Sequence, residues 1–237
     1  MEWFEEWFGE EYLQLYPHRD DADAGRAVAL ISRTVGLQPA WRVLDVACGA
    51  GRHARAFVDA GARCFGVDLS ATLLRLARQV TDAPLVRADM RYLPIRPRSM
   101  DLTVNLFTSF GYFERDAEHR AALEEMIGTV RAGGWFVIDF LNPAAVRRQL
   151  IPEETLRLSG GTVKVSRSVS PDGRYVCKRI RVPKGRDYME RVRLFEPEQM
   201  AQMLEAAGVT LRHRFGDYDA SPLTRDAART ILVGQVG

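Results

Sequence analysis

The chain has 237 residues, with 33 Lys plus Arg against 31 Asp plus Glu, a formal net charge of +2, and a hydrophobic share of 46%. This length suits one α/β domain with an elaboration and a sizeable core. The near-neutral balance gives no whole-chain pull toward nucleic acid, and no apolar run approaches the ~20 residues of a membrane helix.

Residues 2–16 carry Trp3, Phe4, Trp7, Phe8, Tyr12 and Tyr16 among Glu2, Glu5, Glu6, Glu10 and Glu11, which predicts an amphipathic helix and is unlike a signal peptide. Asp20 to Val35 has a second helical stripe, Ala24, Ala27, Val28, Ile31 and Val35. Strand signals then appear at 41–47, 63–68, 84–88, 101–107 and 134–140, alternating with helical patterns at 52–60, 70–80 and 116–131. Repeated βα units imply a parallel sheet with helices on both faces and a ligand beyond the carboxyl ends of its strands. Residues 154–195 break this rhythm. Their alternation, with turns at Gly160-Gly161, Pro171-Asp172-Gly173 and Pro183-Lys184-Gly185, predicts an antiparallel sheet of about three strands. A helix over 197–207, ending at Gly208, and strands at 209–215 and 229–235 complete the chain. Cys48, Cys64 and Cys177 are odd in number and lack metal-type spacing, which suits a reducing cytoplasm and no metal site.

The most informative stretch is V-L-D-V-A-C-G-A-G-R-H-A, residues 43–54. An apolar strand runs into Gly49-Ala50-Gly51, where glycine permits a sharp turn and close ligand approach, and then into a helix start with unpaired N–H groups. Asp45 lies inside the strand, where a carboxylate would repel a pyrophosphate and favour a ligand with a cationic amino-acid end, as S-adenosylmethionine has. Asp68, about twenty residues past the loop, can accept from two ribose hydroxyls. Asp89 ends the third strand, where it can accept from an adenine amino group while Met90 packs on the ring.

The segments D-V-A-C-G-A-G, G-V-D-L-S, R-A-D-M-R, D-L-T-V-N-L-F-T-S-F-G-Y-F and V-R-A-G-G-W-F-V-I-D-F follow one another over most of residues 40–142. In that order they resemble the class I S-adenosylmethionine-dependent methyltransferases. The resemblance implies a doubly wound α/β fold, with a mostly parallel seven-stranded sheet and an inserted small antiparallel sheet. It implies Asp45, Gly49 and Gly51 around the methionine portion, Asp68 on the ribose, Asp89 and Met90 at the adenine, and Phe107 near the sulfonium, with Ala47 and Leu69 also in the cofactor site and S-adenosylhomocysteine as product. The expected organisation is a helical lid (1–35), a cofactor-binding core (36–150), an inserted sheet (151–195) and a C-terminal completion (196–237). An NAD-dependent oxidoreductase is the rival, since Gly49, Gly51 and Ala54 also fit G-x-G-x-x-A. Asp45, Asp89 and the Gly133-Gly134 pair count against it.

For the acceptor, N-L-F-T-S-F-G-Y-F resembles the segment after the fourth strand in small-molecule N-methyltransferases, including those acting on amino sugars. It departs from the N-P-P-Y motif of amino-methylating DNA enzymes, so no DNA acceptor is expected; the expected reaction is methyl transfer to nitrogen or oxygen of a small molecule. Proximity can carry much of it. Phe107, Phe110, Tyr112 and Phe113 are candidate walls, two of them expected in the core. Phe107, Tyr112 and Tyr218 are the candidate catalytic residues, and Asp217 and Asp219 share the loop of Tyr218. In look-alike enzymes the N-terminal stretch covers the cofactor; there Tyr16 and Arg19 would meet the methionine carboxylate, beside Tyr12 and His18.

Lys164, Arg167, Arg174, Lys178, Arg179, Arg181, Lys184, Arg186, Arg191 and Arg193 make the inserted sheet basic against Asp172, Asp187 and Glu190. A solvated protective edge, an anionic acceptor, RNA or a homodimer contact all fit. Cys48 reads as a small buried filler, His53 as helix packing and His119 as exposed. An RNA or protein methyltransferase and a non-catalytic S-adenosylmethionine-binding protein are the functional alternatives.

Overall fold

A computed structural model describes residues 3–4, 8, 21–158, 161–182 and 187–237. Helix α1 (Asp21–Val35) buries Ala24, Ala27, Val28, Ile31 and Val35, the stripe its periodicity predicts, together with Leu30. The alternating run follows as β1 (Arg42–Val46), α2 (Arg52–Asp59), β2 (Arg63–Asp68), α3 (Ala71–Val80), β3 (Leu85–Arg87), β4 (Met100–Asn105), α4 (Asp116–Gly128) and β5 (Val130–Leu141). After it come α5 (Pro143–Gln149), β6 (Glu153–Leu158), β7 (Gly161–Val169), β8 (Tyr175–Arg181), β9 (Asp187–Arg193), α6 (Pro197–Ala206), β10 (Val209–Phe215) and β11 (Arg229–Val236).

Seven strands form one sheet in the order β10-β11-β5-β4-β1-β2-β3. Strands β1 to β5 are parallel; β11 is antiparallel to β5 and to β10. The strand order reverses between β1 and β4, which opens a crevice at their carboxyl ends. Alternate residues of β1 serve two cores. Leu44 and Val46 pack with Phe136, Ile138, Met126 and Met200, while Val43 packs with Ile31, Phe57, Val104 and Val137.

The remaining strands form a separate antiparallel sheet, β6-β7-β8-β9. It has four strands, not about three. The extra one, β6, reads E-E-T-L-R-L and carries little of the apolar alternation that marks its neighbours. The sheet's inner face buries Val163, Val165 and Ile180 against Leu73 of α3. Lys164, Ser166, Arg179 and Arg181 sit at the alternate positions and line an outer hollow.

Helix α5 was not expected, although its signal stands in the sequence: Asn142 caps it through Ala144 N–H at 3.1 Å, and Pro143 takes a first-turn position. His119 is corrected from exposed to fully buried. Its ring sits among Phe110, Phe113 and Phe195, and its Nε2 accepts from Phe113 N–H at 3.3 Å. The polar letters around it belong to the other faces of α4.

Candidate active site

The loop after β1 turns on three residues with positive φ: Ala47 (59°), Gly49 (56°) and Gly51 (82°). At Gly51 a side chain is doubly opposed, because a Cβ there would also lie 2.9 Å from Ala77 Cβ of α3. Cys48 N–H donates to Val67 O at 3.0 Å, which lays the loop across the end of β2. Asp68 then ties the neighbourhood together: its Oδ2 accepts from Gly49 N–H and its Oδ1 from Ser70 N–H, both at 2.8 Å. Ser70 caps α3 by accepting from Leu73 N–H at 3.1 Å, and its hydroxyl donates to the carbonyl of Phe8. Burial raises the pKa of Asp68, and the backbone N–H groups of Ser70, Gly49 and Leu69 act against that rise.

A cavity of about 560 Å³ opens above this unit. Ala47, Gly49, Asp68, Leu69, Asp89 and Met90 line it, and Phe4, Phe8, Tyr112 and Phe113 close it on the other side. Asp89 does not stand alone: Arg91 clasps it through Nε at 3.0 Å and Nη2 at 2.6 Å, and reaches Glu118 at 3.0 Å. Trp3 packs on Tyr112 at 5.2 Å and Phe4 on Phe113 at 5.8 Å, so N-terminal aromatics cover the crevice. Tyr12, Tyr16, His18 and Arg19 lie outside the described residues.

Residues 43–134 match the methyltransferase-domain family. Over 207 residues the chain is 33% identical to dTDP-3-amino-3,6-dideoxy-alpha-D-glucopyranose N,N-dimethyltransferase of Streptomyces fradiae, a match that covers 82% of this chain and 78% of that protein. The chain is an S-adenosylmethionine-dependent methyltransferase. A sugar N-methyltransferase from Streptoalloteichus superposes on this methyltransferase with a TM-score of 0.71 at 26% identity, over 96% of this chain and 93% of that one. A methyltransferase from Streptomyces caelestis shares the fold, with a TM-score of 0.81 at 20% identity over 98% and 99% of the two chains.

The cavity of the methyltransferase suits its cofactor on physical grounds. Its volume falls in the range of ligand sites. It offers a carboxylate with spare lone pairs at Asp68, an apolar plate at Met90 and a glycine loop without side chains to block approach. Asp45 sits differently from the standing anion the sequence suggested. It shares the face of Val43, turned toward α2 and not into the cavity, and is 1% exposed. Burial, with Asp68 adding to it, pushes its carboxyl up to about 8, against the opposing pull of Arg52. The acid is therefore largely protonated at neutral pH, and its Oδ2 has no hydrogen-bond partner.

A second cavity of the methyltransferase, about 490 Å³, adjoins the first, and Phe8 and Tyr112 line both. Its other walls come from Trp3, Phe107, Thr108 and Arg229 on one side, and from Glu154, Arg167, Lys178 and Glu190 of the inserted sheet on the other. Of the four predicted aromatic walls, Phe107 and Tyr112 line this cavity, Phe113 is buried against the first, and Phe110 is core.

Phe107 is held by residues the sequence reading had not singled out. Its N–H donates to Asp139 Oδ2 at 2.9 Å, and the guanidinium groups of Arg52 (4.2 Å) and Arg229 (5.0 Å) both lie over its ring. Asp139 ends V-I-D and could have been noticed as an acid inside an apolar strand; nothing in the sequence marks Arg229 as its partner. Tyr218, a candidate for catalysis, is buried and donates its hydroxyl to Asp139 at 2.6 Å, outside both cavity walls. Burial and the adjacent Asp139 raise its pKa, which removes it as a ready proton acceptor.

Proposed function

We propose that this methyltransferase methylates an amine nitrogen of a small molecule, with the donor in the first cavity and the acceptor in the second. The observation that carries this reading is the shared wall: Phe8 and Tyr112 belong to both cavities, so molecules in the two compartments would lie side by side against the same two side chains. The Streptomyces fradiae relative is by name an amino-sugar N,N-dimethyltransferase, which supports nitrogen over oxygen. Bound in the first cavity, the cofactor supplies an electrophilic methyl group on a sulfonium.

The chain's own part is to bind, orient and exclude water. Ala47, Gly49, Asp68, Leu69, Asp89 and Met90 hold the donor, with Asp45 and Gly51 acting through the loop above them. Phe107 and Tyr112 shape the acceptor compartment. Tyr16 and Arg19 complete the lid in this reading; because α1 packs in the core with Val43 and Phe57, the lid role within 1–35 falls to the stretch before α1, while 36–150, 151–195 and 196–237 act as core, inserted wall and core completion. Among the described residues no helix is long and apolar enough to cross a membrane.

The test is incubation with methyl-labelled S-adenosylmethionine and paired acceptors, amino sugars and their hydroxyl counterparts, free and nucleotide-linked. Label in the amines alone is the expected result. Label in the hydroxyl compounds, or only in added RNA or protein, would overturn the reading.

A further inference from the structure

The partition between the two cavities is made of two rings, Phe8 and Tyr112, whose centroids lie 5.7 Å apart. Tyr112 can be tied through its own hydroxyl, which reaches Thr108 O at 2.7 Å. A phenyl ring has no such handle, and Phe8 stands 62 residues in the chain from the strand end it covers. It is tied through its backbone instead, where its carbonyl accepts from the Ser70 hydroxyl.

The use of that hydroxyl is informative. A serine oxygen has one proton to give and two lone pairs to receive. A lone pair of Ser70 accepts from Leu73 N–H at 3.1 Å and caps α3. Capping needs only the lone pair; aspartate, which has no proton to give, caps as well as serine does. The proton is thus free for a second task, and it goes to Phe8. The backbone of the same residue donates to Asp68 Oδ1 at 2.8 Å, and the other oxygen of Asp68 holds Gly49 N–H. Ser70, which itself lines the first cavity, joins the loop unit beneath that cavity to the ring above it. Phe8 then packs against Leu73 and the inner face of the inserted sheet, with Trp3 at 6.1 Å.

We propose that Ser70 is a positioning residue for methyl transfer, which sets the partition, and with it the alignment of donor and acceptor, through the carbonyl of Phe8. This inference rests on the reading of the two cavities as donor and acceptor compartments. Alignment is the main thing this reaction asks of the protein, so the role should be visible in kcat.

Three variants separate the two tasks of the hydroxyl. Ser70→Thr keeps lone pair and proton. Ser70→Asp keeps the cap and loses the proton. Ser70→Gly loses the side chain without adding charge, at little cost to the cap; it keeps the test decisive if Ser70→Asp does not fold. The first readout needs no acceptor: fluorine NMR of 5-fluorotryptophan-labelled protein saturated with S-adenosylhomocysteine, with the Trp3 resonance assigned by its loss in Trp3→Phe. Ser70→Asp and Ser70→Gly should move that resonance, and Ser70→Thr should not. The second is turnover of whichever acceptor takes the methyl label. Ser70→Asp and Ser70→Gly should lower kcat at least about tenfold, with a smaller change in S-adenosylhomocysteine affinity. In a Phe8→Ala background, Ser70→Asp should have no further effect on kcat, because no ring is left to place. An unmoved Trp3 resonance, parental kcat in Ser70→Asp, or additive losses in the Phe8→Ala background would each overturn the proposal. A moved resonance with lowered kcat toward a hydroxyl or macromolecular acceptor would strike the amine reading instead and leave this role of Ser70 standing.

Discussion

Arg229 holds Asp139 through two hydrogen bonds, Nε to Oδ1 at 2.6 Å and Nη2 to Oδ2 at 2.9 Å. The carboxylate is fully buried and the guanidinium nearly so, and Asp139 also accepts from Tyr218 and from Phe107 N–H. One buried ion pair thus fixes the chain where Phe107 and Thr108 both take positive φ, 58° and 61°. Removing one partner leaves an uncompensated charge, while removing both leaves none. Asp139→Ala should therefore cost about 3–5 kcal/mol in urea unfolding. The double variant Asp139→Leu with Arg229→Met should lose less than that single change. If the double variant loses the sum of both single effects, the two residues are not coupled through this pair.

Tyr112 forms part of the partition between the cavities, and its hydroxyl donates to Thr108 O at 2.7 Å. Tyr112→Phe keeps the ring and removes one hydrogen bond, so its stability should fall by only about 1 kcal/mol. Tyr112→Ala removes the partition. It should lower kcat by at least about tenfold while S-adenosylhomocysteine affinity changes less, because alignment is lost before binding is. A change confined to cofactor affinity would place Tyr112 wholly on the donor side.

Asp45 has a defined pH signature. Its carboxyl, ordinarily near 3.8, is pushed up to about 8 by burial, so between pH 4 and 8 the unfolded chain binds fewer protons at this site than the folded one. The site's contribution to stability accordingly falls as pH rises through that window and levels off above it. At 1.4 kcal/mol per unit the ceiling is roughly 6 kcal/mol. Asp45→Asn, which cannot ionise, should gain stability relative to the intact protein as pH goes from 5 to 8, read as the difference between their urea midpoints. Parallel pH profiles would show that the acid ionises freely in the fold.

The βα rhythm, the glycine loop and the ends of the first three strands were legible because each rests on local periodicity or on residues close in sequence. Ala47, Gly49, Asp68, Leu69, Asp89 and Met90 line one cavity because each stands at or just beyond a strand's carboxyl end. The acceptor side was less legible. Arg229 meets Asp139 across 90 residues, and the Arg167–Lys178–Glu190 row exists only once β7, β8 and β9 are in register. The sequence shows a basic sheet; only the pleat shows which charges face the cavity. Asp45 was visible as an acid, but the face it takes on β1 follows from which helix layer covers which side of the sheet.

Gly51 tests the geometry of the loop itself. Its φ is 82°, and a Cβ would approach Ala77 Cβ to 2.9 Å and Ala77 Cα to 3.2 Å. Both partners sit in or beside helices, so neither gives easily. Gly51→Ala should cost about 1–3 kcal/mol of stability and weaken S-adenosylhomocysteine binding in calorimetry, since the loop must shift. By contrast, a Cβ on Gly61 meets nothing within 4 Å, although its φ of 89° is also positive. Gly61→Ala should share the backbone strain without the collision, and should spare cofactor affinity. Equal losses of affinity in the two variants would exclude the α3 contact as the cause.

His119 reports on the opposite sign of pH dependence. Burial pushes its imidazole down from 6.5 to about 4, with only weaker opposition from neighbouring backbone groups and Asp116. Between pH 6.5 and 4 the unfolded chain therefore binds more protons here than the folded one, and stability falls as pH drops through that window. The neutral ring is required because Nε2 must accept from Phe113 N–H while three phenyl rings surround it. His119→Gln can keep an acceptor in place but cannot titrate, so it should lose less stability than the intact protein between pH 7 and pH 4. The difference should approach about 3 kcal/mol, the equivalent of the shift. Because Asp45 acts in the other direction over much of the same range, the comparison must be made between the His119 variant and its parent at each pH. A variant that tracks the parent throughout would mean that His119 reaches solvent before it protonates, and that the aromatic cluster around it opens below pH 6.5.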